Sequence, residues 1–160
     1  MRPLKHREPN AIGAALGGEV MCECIADGKH VAPTVVKILY NAVGADRLVL
    51  ISDSLRCAGL PDGNYTMADG REIVVKNSLA YLTDGTIAGS SAKLFDCVKN
   101  AVSFGIPLED AVKVASLNPA RAAGIDNVCG VIKEGRAADF LLVDENLELK
   151  NVYIGGECFL

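Results

Sequence analysis

Leu48-Val49-Leu50-Ile51-Ser52-Asp53-Ser54 is an apolar run of strand length that stops on a carboxylate. A strand buried on both faces reads as a continuous apolar run, and in parallel α/β folds the groups that do chemistry stand at the C-terminal ends of such strands. Asp53 occupies that position. A solvated turn aspartate has the same local sequence, so the strand end by itself leaves both readings open.

Working upstream, residues 20–25 read as a second short strand, ending in Ala26-Asp27-Gly28-Lys29-His30. Between the two, Pro33-Thr34 opens a helix to about Val43, with Val35, Val36, Leu39 and Val43 near helical spacing and Gly44 as its C-terminal cap. Strand, polar loop, helix, strand is the rhythm of a βα barrel or an open parallel sheet, where adjacent strand ends bring polar groups to one rim. Before this unit lie a charged segment bracketed by Pro3 and Pro9, and a small, flexible run at 11–18.

Downstream the pattern changes. Residues 59–64 are turn chemistry, and 73–76 and 80–82 are short strands. With Asp69-Gly70 and Asp84-Gly85 as turn pairs, residues 64–86 read as an antiparallel excursion inserted after the Asp53 strand. After a linker at 87–91, Ser90 or Ser91 is expected to cap a helix running to about Phe104. Pro107 begins another helix, with Glu109 and Asp110 in its first turn, and Asn118-Pro119 a third, closed by Gly124. Residues 138–144 and 147–154 are strands, too few for a sheet of their own and expected to pair with strands outside this chain.

The totals bound the function. The chain has 160 residues, 50% hydrophobic and 22% charged, which suits a packed core rather than disorder. Net charge is −4, and no basic cluster is present, which argues against nucleic acid and against an anionic membrane surface as partners. No apolar run approaches the ~20 residues of a membrane-spanning helix. The opening segment lacks the apolar core of a secretory signal, so a cytoplasmic protein is expected. Six cysteines are scattered without metal-ligand spacing. Strand alternation puts Cys22 and Cys24 on one face, and all six are expected to be reduced thiols acting as small hydrophobes.

Taken in order, several motifs form a set. They are His6-Arg7-Glu8-Pro9 with Gly13-Ala14, Asp27-Gly28-Lys29-His30-Val31, Ser52-Asp53 with Ala58-Gly59-Leu60-Pro61-Asp62-Gly63, and Asp84-Gly85-Thr86-Ile87-Ala88-Gly89-Ser90. Asn118-Pro119-Ala120-Arg121 and Gly135-Arg136-Ala137-Ala138-Asp139 complete it. The set resembles the N-acetylglucosamine-6-phosphate deacetylases of the amidohydrolase superfamily. The last two motifs mark only the superfamily; the Asp27–His30 and His6–Pro9 stretches point to the deacetylases themselves.

The resemblance implies an α/β fold: the C-terminal part of a metal-dependent hydrolase (β/α)8 TIM barrel, plus the C-terminal strands of a small β-sandwich. Residues 1–130 would be barrel, with the β insertion near 64–86, and residues 131–160 sandwich. The implied reaction is hydrolysis of the acetamide of N-acetylglucosamine 6-phosphate to glucosamine 6-phosphate and acetate, a step of amino-sugar catabolism. Asp53 would be its general base and acid, acting on a water activated by a divalent metal, zinc or iron. By the same resemblance Arg7 and His30 contact the sugar phosphate, while Asp27, Gly28 and Lys29, together with Ile87, Ala88 and Gly89, line the substrate. The metal ligands are expected upstream of Met1, so this chain alone is not expected to bind metal. The longer enzyme would be a homodimer in which Arg7 serves the neighbouring subunit. Two other readings stay open: an amidohydrolase acting on a cyclic amide or a base, and an inactive C-terminal fragment.

Overall fold

The computed structural model describes residues 2–160; Met1, at the head of the opening segment, lies outside the described residues. Helix α1 spans Asn10–Gly17, strand β1 Cys22–Ile25, helix α2 Pro33–Arg47 and strand β2 Leu48–Ile51. An antiparallel meander follows, β3 Gly63–Thr66, β4 Glu72–Lys76, β5 Leu79–Leu82 and β6 Ile87–Ser90. Helices α3 Leu94–Ser103, α4 Leu108–Ala115 and α5 Leu117–Ala122 lead to strands β7 Phe140–Val143, β8 Leu149–Ile154 and β9 Glu157–Cys158. The fold is mixed α/β, with a two-stranded parallel sheet, a four-stranded antiparallel sheet and a three-stranded antiparallel sheet.

β1 and β2 pair in parallel from Cys22↔Leu48 to Ile25↔Ile51, with α2 as the connection. Leu48, Val49 and Leu50 are buried without interruption, as a covered parallel strand requires. Cys22 and Cys24 share the inward face of β1, as alternation predicts, and no disulfide joins any of the six cysteines. These side chains pack with Val36 and Val43 of α2, Cys97, Val98 and Ala101 of α3, and Ala111 and Val114 of α4 in the main core. A second core forms on the meander from Ile73 and Val75, the alternate inward residues of β4, together with Ala80 and Cys57.

Three local expectations change. The run at 11–18 is a helix, not a flexible segment. Its glycines hide the helical signal, yet Gly13 is required there, because a Cβ would stand 2.3 Å from Pro9 Cβ. The helix is tied at both ends: Asn10 Nδ2 donates to the Pro3 and Glu8 carbonyls, and Arg47 caps the other end by donating to the carbonyls of Ala15, Leu16 and Gly18. The linker at 87–91 is largely strand β6. Ser90 and Ser91 do not cap α3; Lys93 is its N-cap, closed by Asp96, whose carboxylate accepts from the Lys93 amide at 3.1 Å. Gly44, by contrast, does interrupt α2, with φ 71°. No residue of 131–160 is buried, and no helix among the described residues is long and apolar enough to cross a membrane.

Candidate active site

The parallel register decides the geometry. Because Ile25 stands opposite Ile51, the chain leaves β1 and β2 side by side, carrying Asp27 and Asp53 onto the same rim. Tertiary contacts steady the exit of β1 and the entry to β2. Asn100 of α3 donates to the Ala26 carbonyl at 3.1 Å, and Asn118 donates to the carbonyls of Ala45 and Leu48 at 2.8 and 2.7 Å.

After β1 the chain closes a clasp. Asp27 Oδ1 accepts from the Lys29 and His30 amides at 2.9 and 2.8 Å, while Oδ2 accepts from the His30 ring at Nδ1, 2.7 Å away. Gly28, with φ 73°, makes the tight turn possible, and a Cβ there would press on the Phe104 ring at 3.3 Å. Burial on its own would raise the Asp27 carboxyl. The hydrogen bonds from the His30 ring and from the His30 and Lys29 amides, with the charge of His30, outweigh it and hold the group below the ordinary carboxylate range. An ionised Asp27 accepts only, so Nδ1 of His30 carries the proton. His30 Nε2 is buried and has no hydrogen-bond partner among the described residues. It is therefore a spare polar atom held in one orientation beside a strand end.

Asp53 follows β2 in the left-handed region, φ 49°, a conformation uncommon for residues other than glycine. Its carboxylate is exposed and, among the described residues, accepts no hydrogen bond from another side chain. Such a group is free to move a proton. β6 lies against this turn: the Ser90 amide donates to the Asp53 carbonyl at 2.9 Å, and a Cβ on Gly89 would stand 3.0 Å from that same oxygen.

The structure thus brings Asp27, Gly28, Lys29 and His30 into one clasp, through the backbone amide in the case of Lys29, and places Gly89 against Asp53. Ala88 is half-buried in β6 beside it, and Ile87 is exposed. Arg7 stands apart. It sits in a tight turn closed by Lys5 and Glu8 and donates to its neighbour His6 at 2.8 Å. Sequence reasoning missed Ser52, Ser54 and Ser90, whose hydroxyls are bonded around Asp53. Paired small hydroxyls at 52, 54, 90 and 91 were the available signal, but a helix cap explains Ser90 and Ser91 equally well from sequence.

A divalent metal needs three or four converging donors. Nδ1 of His30 is engaged by Asp27, and among the described residues no three His, Cys, Asp or Glu side chains gather in a metal-holding group. The donors described do not fit such a centre.

Comparison with known proteins agrees with the motif set. A relative from Escherichia coli K12, provisionally named an N-acetylgalactosamine-6-phosphate deacetylase, is 36% identical over 159 residues, covering 98% of this chain and 94% of its own length. The N-acetylglucosamine-6-phosphate deacetylase of Vibrio furnissii is 33% identical over 158 residues, which make up only 39% of it. The crystal structure of the Thermotoga maritima N-acetylglucosamine-6-phosphate deacetylase superposes with a TM-score of 0.88 at 38% identity, covering 98% of this chain and 43% of that one. Apart from the short Escherichia coli relative, then, the chain spans about two fifths of these proteins. The Amidohydrolase family model matches residues 10–158, nearly the whole chain. By sequence and by fold, the chain belongs to the amidohydrolase family.

Proposed function

We propose that this chain carries the proton-transfer and substrate-contact share of an N-acetyl amino-sugar 6-phosphate deacetylase. The observation that carries the reading is the pair of adjacent parallel strand ends, one bearing a free carboxylate at Asp53, the other an oriented imidazole at His30. In the reaction a water oxygen attacks the acetyl carbon, and the bond from that carbon to nitrogen breaks. Asp53 takes the water's proton and returns it to the leaving nitrogen, giving acetate and the free amino sugar. His30, in the form with both ring nitrogens protonated, offers Nε2–H to the anionic phosphate while Nδ1–H stays on Asp27. Gly28 and Gly89 let main chain approach the sugar closely.

In this reading β1 and β2 are the last two strands of a (β/α)8 barrel, with β3–β6 inserted after them. β7–β9 are the C-terminal share of a β-sandwich, a role that their lack of any buried residue supports. Arg7, exposed in its turn, reaches the neighbouring subunit of a homodimer.

N-acetylglucosamine 6-phosphate is the first substrate to test. The Escherichia coli relative favours a second, its galacto epimer. Each is supplied, with zinc or ferrous iron, to a longer protein that joins this chain to the metal ligands the resemblance implies, and release of acetate is followed. The expected result is turnover of at least one epimer that falls about a thousandfold in Asp53→Asn, the upper part of the range for losing a proton-transfer group. Unchanged turnover in that variant refutes the role given to Asp53, and turnover of neither epimer refutes the substrate assignment.

A further inference from the structure

β6 reads from sequence as a substrate lining, but its hydrogen bonds run to the turn that carries Asp53. Ser90 is fully buried. Its amide donates to the Asp53 carbonyl at 2.9 Å, its hydroxyl donates to the Ser52 carbonyl at 2.5 Å, and its own carbonyl accepts from the Leu55 amide at 2.8 Å. One residue is therefore bonded before, at and beyond Asp53. Ser54 forms a parallel bridge with Ser90 and donates its hydroxyl to the Ala92 carbonyl at 2.5 Å. Gly89 lets the strand come this near: it sits at φ 147°, and a Cβ would lie 3.0 Å from both the Asp53 carbonyl and Leu55 Cγ.

The grip matters because Asp53 is left-handed, and an exposed carboxylate with no side-chain partner does nothing to hold its own backbone there. Such a conformation persists only where the surroundings over-determine it. We propose that Ser90 is a positioning residue, clamping the left-handed turn at Asp53 and so setting where that carboxylate stands relative to the β1 clasp. The proposal rests on the reading of Asp53 as the proton-transfer group. It also gives the antiparallel insertion a purpose, since β6 delivers Ser90 to the rim as the last strand of the β3–β6 sheet.

The test compares Ser90→Ala and Ser90→Thr with the parent chain. Ser90→Cys, nearly the same volume but a poorer donor, is read if the alanine variant does not fold. The first readout is the intraresidue amide-to-Hα NOE of Asp53, which is strong only for a positive φ. The second is native-state amide exchange at Leu55, set against Ile73 and Val75 in β4. We expect Ser90→Ala, or Cys in its place, to weaken the Asp53 cross-peak. Exchange at Leu55 should quicken about tenfold, the scale of one lost hydrogen bond, with β4 unaffected. Threonine should restore both. In turnover by the longer, metal-holding protein that carries the same substitutions, kcat should drop about tenfold or more while KM stays within about twofold, the pattern of a group acting on the chemical step. A full-strength cross-peak in Ser90→Ala, or exchange quickened evenly through β2 and β4, overturns the proposal, because Ser90 would then be ordinary packing. If Asp53→Asn keeps its turnover, the role of Asp53 fails instead, while the cross-peak and exchange still report on the clamp.

Discussion

Replacing Asp27 by Asn perturbs the clasp after β1 while leaving its shape intact. Oδ1 of Asp27 accepts from the Lys29 and His30 amides, which a side-chain amide oxygen can also do. Oδ2 accepts from His30 Nδ1 at 2.7 Å, and there asparagine sets one N–H donor against another. The lost interaction is a hydrogen bond to a charged acceptor, about 1.5–3 kcal/mol. With Asp27 only 8% exposed, water does not replace it. The ring can move its proton to Nε2 and recover part of the loss, so the expected cost is about 2 kcal/mol. In a domain of this size that lowers Tm by about 4–8 °C. The sign of the pH dependence follows from the depressed carboxyl of Asp27. A group whose pKa falls on folding contributes stability above its unfolded value, near 4, and loses it as the pH drops through the folded value. The advantage of the parent over Asp27→Asn is therefore complete at about pH 7, begins to shrink below about pH 4 and is gone only once the pH has passed the depressed folded value. Urea titrations of both proteins at about pH 7 and about pH 3.5 measure this as a difference in midpoint. Equal midpoints at neutral pH, or a difference that stays constant into acid, would refute the reasoning.

Two further outcomes test the packing around the two parallel strands. Asn118→Ala strips the donors from the Ala45 and Leu48 carbonyls in a fully buried site and should destabilise the chain by about 2–4 kcal/mol in urea titration; a loss under about 0.5 kcal/mol would mean these bonds hold nothing. Thiol titration of the native chain should modify Cys158 first and Cys129 next, with Cys22, Cys24, Cys57 and Cys97 reacting only after urea. Burial, aided by the charge of Asp27, pushes Cys24 and Cys97 up to about 11, so Cys97 reacting as fast as Cys158 would contradict the core described above.

Much of the site was legible because it is built from short-range patterns. A continuous apolar run ending on Asp53 says parallel strand and strand end, and alternation at Cys22 and Cys24 says which face is inward. The clasp of Asp27 with His30 was not read from the sequence, although it spans only three residues and the turn at Gly28 sets it locally. The ordered motifs from His6 to Asp139 carried the family without reference to any contact. Helix α1 escaped because Gly13, Gly17 and Gly18 are helix-weakening by propensity. The ties that support it, from Arg47 about thirty residues away and from Asn10 back to Pro3, are not periodic signals.

The contacts that hold β2 and its exit in place belong to a different class. Ser90 reaches Ser52 across 38 residues, and Asn118 reaches Leu48 across 70. No spacing rule connects such pairs, because a serine beside a helix start and an asparagine before a proline have good local uses that the chain here does not make of them. From the amino-acid order alone come the two strands, their polar ends and the kind of chemistry those ends suit. That β6 turns back to grip Asp53 in a left-handed turn is decided by the path of the folded chain. Only there do the buried Ser90 hydroxyl and the missing Cβ of Gly89 find the one backbone close enough to need them.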